Sequence, residues 1–266
     1  MRRLFLSIVL FCFCVGALSQ ATASDDALLA KARALYDAPF TRGLVSFDCA
    51  VQFDWKKHII DLLGTVPPTA VPTAERLQTI QHRVFVDRSG AVVSAIPKTP
   101  DLAGIEHAAE LEQTLNAMVV GGLNAWLPFS TNVILPMTPT KFSFQKNDTG
   151  YNLTMNGPGV AATLLLKDDL RVTSGVAELP QPLRFNTEFI SGTNGYLLES
   201  LETASMTDAG SGGEASFAYT YQAVQGFLLP SQLTVTQLST SEAWRYALSD
   251  CRVVKGFVVN VGPPVQ

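Results

Sequence analysis

Lys141-Phe142-Ser143-Phe144-Gln145-Lys146-Asn147-Asp148-Thr149-Gly150-Tyr151-Asn152-Leu153-Thr154-Met155 decides how the rest of this chain is read. Phe142 and Phe144 alternate with polar residues, as do Tyr151, Leu153 and Met155, and Asn147-Asp148-Thr149-Gly150 turns the chain between them. A period of two puts the apolar side chains of each run on one face, so the stretch is a hairpin with one buried side. The pattern then continues. Val160–Leu166 and Leu170–Val176 flank Lys167-Asp168-Asp169, and Leu183/Phe185/Phe189 precede Gly192-Thr193-Asn194-Gly195 and Tyr196–Thr203. After a glycine-rich tip at Asp208–Gly213 come Phe217/Tyr219/Tyr221, Leu229–Leu238 and Trp244/Tyr246/Leu248. About nine short runs with turn signals between them form an antiparallel meander.

Working back from this meander, three helices and three more strands are expected. Leu28, Leu29, Ala32 and Leu35 recur at helical spacing from Asp25 to Tyr36, with Ser24 or Asp25 as the cap and Pro39 and Gly43 beyond the end. Val45, Phe47, Cys49, Val51 and Phe53 alternate as a half-buried strand. Asp54 caps a short helix, Trp55 to Leu63, closed by Gly64, and the proline-rich stretch Thr65 to Thr73 is an extended loop. Ile80, His82, Val84 and Val86 turn through Asp87-Arg88-Ser89-Gly90 into Ala91–Ile96. The long helix runs from Leu102 to Trp126, and its second half, from Ala117 to Phe129, carries no charge, as in an enclosed helix. Gly121-Gly122 marks either a break in it or a place where another backbone comes close. The strands total about twelve, and open sheets of that size curl. The fold class is α+β, a large curved antiparallel sheet of 11–12 strands covered by two or three helices. No internal repeat suggests a propeller or a solenoid.

The first residues give an address. Arg2 and Arg3, the apolar run from Leu4 to Leu18, and Ala21-Thr22-Ala23 are the three parts of a cleavable export signal. The apolar run is about 15 residues, short of the ~20 that span a bilayer. Residues 1–23 are read as this signal and 24–266 as one domain, soluble and without a stable membrane anchor, in the periplasm or secreted. Cleavage removes two arginines and no acid, so the net charge of −4 becomes −6. That balance disfavours nucleic acid or an anionic membrane as partner. Cleavage leaves Cys49 and Cys251, which most often pair in an oxidising compartment. The alternative is two separate buried thiols.

The chain offers little chemistry. No G-x-S-x-G elbow, no H-E-x-x-H, no C-x-x-C and no phosphate-cradling glycine loop occurs, so neither a metal nor a cofactor is expected. Gly157-Pro158-Gly159 is read as a hairpin turn. His58, His82 and His107 are the only histidines. His82 falls in phase with an apolar face and His107 sits between Glu106 and Glu110, and both are read as structural or solvated. An enzyme would need Glu106 or Asp168 to converge with a histidine. The aromatic stripe says more: Phe142, Phe144, Phe185, Phe189, Tyr219, Tyr221, Trp244 and Tyr246 alternate on their strands. They form either a plain core or the lining of an apolar cavity between the curved sheet and the long helix, with Phe142, Phe144, Tyr219 and Tyr221 and the helix residues Met118, Leu123 and Trp126 as the lining candidates.

Ala27-Leu28-Leu29-Ala30-Lys31-Ala32-Arg33-Ala34 followed by Leu44–Phe53, and the late pair Tyr221–Leu233 joined through G-x-x-x-P, resemble the extracytoplasmic lipoprotein-carrier superfamily, LolA-like and LppX-like proteins. The resemblance implies an incomplete barrel, covered by helices, that holds acyl chains in an apolar interior. No position matches the polar latch residues of the carriers. The expected function is an exported, non-catalytic protein that binds or carries a lipid or other apolar small molecule in the bacterial envelope. The alternative is a solid-cored envelope protein acting through surface contacts with a protein partner that the sequence does not identify, using apolar stretches such as Val66–Val71 and Leu127–Pro136.

Overall fold

A computed structural model of the chain describes residues 23–64, 68, 71–72, 75, 82–94, 108–135, 141–157, 160–178, 182–206 and 214–256. The expected export signal, apart from Ala23, lies outside them, as do Ile80, Leu102, Glu106, His107, Pro158-Gly159 and the tip at Asp208–Gly213.

Every expected strand run forms a strand. In chain order they are β1 (Leu44–Phe53), β2 (His82–Asp87), β3 (Gly90–Ser94), β4 (Lys141–Asn147), β5 (Gly150–Gly157), β6 (Val160–Leu166), β7 (Val172–Ala177), β8 (Leu183–Gly192), β9 (Gly195–Ser205), β10 (Ala215–Val224), β11 (Phe227–Gln237) and β12 (Glu242–Lys255). They join one twelve-stranded antiparallel sheet in the order β3-β2-β1-β12-β11-β10-β9-β8-β7-β6-β5-β4. The end strands β3 and β4 are not hydrogen-bonded to each other, so the sheet stays open. Three α-helices accompany it among the described residues: α1 (Ala23–Arg33), α2 (Trp55–Leu63) and α3 (Ala108–Ser130), with a 3-10 turn at Pro39–Arg42.

The local chemistry explains most boundaries. Asp54 caps α2 by accepting the Lys57 amide at 3.0 Å, and Gly64, left-handed, ends it by donating to the Ile60 carbonyl. On β1, Phe47, Cys49, Val51 and Phe53 are buried, as alternation requires. Val45 departs from it: a register shift against β12 between Leu44 and Ser46 buries those two and leaves Val45 47% exposed. Cys49 and Cys251 form a disulfide across the neighbouring strands β1 and β12, with Cα atoms 4.1 Å apart.

Several boundaries differ from the sequence reading. β7 begins at Val172 rather than Leu170, which sits in the preceding turn with φ +69° and is nevertheless buried. The first helix stops at Arg33 rather than Tyr36, because residues 35–37 have other partners. The Tyr196 amide donates to the Leu35 carbonyl at 2.7 Å and the Asp37 amide to the Tyr196 carbonyl at 2.9 Å, a parallel bridge onto the start of β9. Room exists there because β10 pairs with β9 only from Ala215 to Ala218. Gly195 makes the approach possible: its φ is +137° and a Cβ would lie 2.6 Å from the Leu35 carbonyl oxygen. The Tyr36 hydroxyl accepts the Val172 amide at 2.7 Å, which ties the N-terminal segment to β7.

The long helix also ends later than Trp126. It continues through Pro128 to Ser130, with the Thr131 amide closing on the Leu127 carbonyl. Leu115, Val119, Leu123 and Trp126 form its buried stripe against the sheet. Gly121-Gly122 does not break it. Among the described residues, no helix is long and apolar enough to cross a membrane.

Candidate functional site

The charge-free half of α3 has two apolar stripes, and they do different things. Trp126 faces the core, where its ring meets Phe47 edge-on at 6.0 Å and Phe40 at 6.3 Å. Leu123 is fully buried. Tyr219 on β10 is buried and donates to the Gly122 carbonyl at 2.8 Å, and Tyr246 on β12 donates to the Leu115 carbonyl at 3.1 Å. Tyr221 donates to the Leu198 carbonyl at 2.5 Å. Burial pushes the pKa of all three phenols above the usual tyrosine value. The interior on this side is filled.

The second stripe borders empty space. Ala125, Pro128 and Phe129 of α3, with Val133 and Ile134 just beyond it, face Met155, Leu164, Phe185 and Leu201 of the sheet across a cavity of about 350 Å³, partly open to solvent. The cavity exists because the residues brought together there are small: Ala125 on the helix, Ala161 and Ala162 on β6, and Ala177 on β7. Ala162 and Ala177 are directly paired across their strands. Leucine at those positions would close the space.

Its walls carry almost no polarity. Among the described residues, Asn124 and Thr203 are the only lining residues with polar side chains. Both have partners within the protein: Asn124 Oδ1 accepts the Ala91 amide at 2.8 Å, and Thr203 Oγ1 donates to the Ala215 carbonyl at 3.3 Å. Among the described residues no charged side chain lines it. A site of this kind binds by excluding water from apolar surface.

The cavity lies between the sheet and the long helix, and of the aromatic stripe Phe185 lines it. Met118, Leu123, Trp126, Phe142, Phe144, Tyr219 and Tyr221 do not line this space. Leu123, Trp126, Phe142 and Tyr219 are core, and Met118, Phe144 and Tyr221 pack partly buried against that core. The small residues that leave the space open, Ala161, Ala162 and Ala177, were not among the residues the sequence reading singled out.

Among the described residues, His58 and His82 sit in packed surroundings. His58 lies between Phe53, at 5.2 Å, and Trp244, at 6.0 Å, with Nδ1 3.4 Å from the Ala243 carbonyl oxygen and Nε2 3.7 Å from Glu242. His82 borders the packed contact between Trp55, Leu115 and Tyr246. Asp168 pairs with Lys146, and Asp169 with Arg171 at 2.8 Å. Among the described residues, no group of three or more histidine, cysteine or acidic side chains could hold a metal ion.

No protein-family model matches the sequence, and no curated protein matches it. Among solved structures, the chain is similar to a LolA superfamily protein from Nitrosomonas europaea, with 13% identity and a TM-score of 0.34, over 87% of this chain and 94% of that one. The functional reading therefore rests on the cavity.

Proposed function

We propose that residues 24–266 form one exported, non-catalytic domain that holds a lipid or other apolar small molecule in the cavity between α3 and strands β5–β9. The apolar, partly open cavity of about 350 Å³ carries this reading, since it lies at the lower end of the range for small-molecule sites. An exported protein is consistent with the signal pattern at residues 1–23 and with the disulfide, which suits an oxidising compartment such as the periplasm. The resemblance read from the sequence points to the same class of ligand.

The surface-contact alternative has mixed support. Of its two apolar stretches, 127–136 is mostly turned inward among the described residues: Leu127, Phe129 and Leu135 are buried, and Val133 is 54% exposed. In the other, Val66 lies outside the described residues, while Pro68 and Val71 are exposed, Val71 at 37%.

Native mass spectrometry of the purified protein tests the reading. A mass excess that organic extraction removes, and that is identified as lipid, is the expected result. Equal masses before and after extraction, with no binding when apolar probes are added back, would remove the proposal.

A further inference from the structure

The two edges of the sheet are not alike. On β3, α3 covers the open side, where Asn124 Oδ1 accepts the Ala91 amide at 2.8 Å. On β4 the backbone is left open. β4 and β5 are joined by only Asp148 and Thr149, so Asn147, Gln145, Ser143 and Lys141 bond to β5. Phe142, Phe144 and Lys146 therefore turn their N–H and C=O groups to the open side. Among the described residues, no hydrogen bond takes these groups up.

The devices that usually close a sheet edge are absent from the described part of β4 or turned away from it. The register with β5 runs without a bulge from Lys141 to Asn147, and no proline interrupts the strand. Lys146 reaches back across its own sheet, over the Tyr151 ring at 4.4 Å to Asp168, and so leaves the edge. The Asn147 side chain is likewise held on the β5 side, donating from Nδ2 to Asn152 Oδ1 at 2.8 Å. At the centre of the strand Phe144 is only partly buried, edge-on to Phe142 at 6.4 Å and to Tyr151 at 6.1 Å.

We propose that β4 is the contact between two copies of this chain, paired antiparallel about a two-fold axis beside Phe144. That register sets Phe142, Phe144 and Lys146 of one copy opposite Lys146, Phe144 and Phe142 of the other. Each outward N–H then meets an outward C=O, in about six hydrogen bonds. A second copy suits the edge because the strand is complementary to itself in this register. The partly buried Phe144 ring is covered by its own counterpart. Ser143 stands opposite Gln145, two uncharged polar residues. Lys141 stands opposite Asn147 and next to Asp148, and no lysine is set against a lysine. A contact confined to one strand of each copy suits a reversible dimer rather than an obligate one.

Sedimentation equilibrium of the mature protein should give a mass that rises with concentration toward that of two chains. Cross-linking tests the register. In the double variant Ser143→Cys/Gln145→Cys the new thiols face each other at the non-bonded pairs, where side chains come closest. Mild oxidation should convert that variant to a covalent dimer and leave either single variant largely uncoupled. Phe144→Lys sets like charges against each other at the axis and should restore the mass of one chain. Near-ultraviolet circular dichroism checks that this variant is folded, and if it is not, the cysteine pair alone decides. A single-chain mass for the wild type at every concentration, or a dimer that folded Phe144→Lys leaves intact, would overturn the proposal. So would a double variant that forms no covalent dimer, or Ser143→Cys alone coupling as efficiently as the pair. None of these results bears on whether the cavity holds a ligand.

Discussion

Gly122 and Leu233 are in contact because one of them has no side chain: a Cβ on Gly122 would lie 2.6 Å from Leu233 Cδ2. Here β11 approaches α3 closely, and the Tyr219 hydroxyl donates to the Gly122 carbonyl at the same turn of the helix. Leu233 is fully buried and has nowhere to retreat. Gly122→Ala should therefore destabilise the fold by about 1–3 kcal/mol through overpacking, outweighing its gain in helix propensity. Gly121→Ala, with nothing within 4 Å of the new methyl group, should stabilise by up to about 1 kcal/mol. Urea unfolding of the two variants compares the signs directly, and equal shifts would contradict the close approach.

Trp126 separates core from cavity. Packed between Phe40 and Phe47 and absent from the cavity lining, it is expected to act as plain core. Trp126→Ala should cost about 3–5 kcal/mol. The protein that remains folded should still bind the neutral apolar fluorophore N-phenyl-1-naphthylamine with wild-type affinity. Little loss of stability accompanied by loss of binding would reverse the assignment.

The disulfide encloses a loop with a sequence separation of 202 residues. Thiol titration under denaturing, non-reducing conditions should find no free thiol in the mature protein. Replacing both Cys49 and Cys251 with alanine should cost about 5 kcal/mol on the loop-entropy model. A titration near two thiols per chain would mean that the cysteines are not paired.

Alkaline pH should unfold this protein through its tyrosines. Burial pushes Tyr36 up to about 12 and raises Tyr219, Tyr221 and Tyr246. In the unfolded chain these phenols ionise near pH 10, so above that value unfolding releases protons and stability falls as pH rises. The stabilisation is complete below about pH 10 and is lost progressively toward about pH 12, by roughly 3 kcal/mol for Tyr36 alone. Urea midpoints followed together with tyrosinate absorbance measure this loss. A midpoint that stays constant up to about pH 12 would refute it.

Elements whose causes are local could be read directly from the sequence. Alternation between turn residues located all nine strands after Thr138, and Asp54 and Gly64 marked both ends of α2. What depends on distant partners could not be read in this way. Tyr36 fits a helical pattern until Tyr196 is known to be its neighbour. Val45 fits the strand alternation until the register against β12 shifts beside it. Which residues line the cavity was only partly legible for the same reason, Phe185 alone of the aromatic stripe being among them. The aromatic stripe marks where the interior is well packed, whereas the empty space depends on Ala162 and Ala177 meeting Ala125 of a separate helix.

Nearly all the strand pairing in this sheet is between neighbours in sequence, and the ladder between β1 and β12 is the exception. Short-range pairing forms quickly, while pairing across some two hundred residues waits on a costly loop closure. Strands β4 to β12 can therefore assemble hairpin by hairpin as the chain is delivered, whereas β1, made early, remains without its partner until the last strand emerges. During that interval β1, paired with β2 on one side only, presents a free backbone edge to any other β-edge nearby. The covalent cross-link at Cys251 comes at the end of this sequence of events, so it secures a sheet that is already paired rather than guiding the chain toward it.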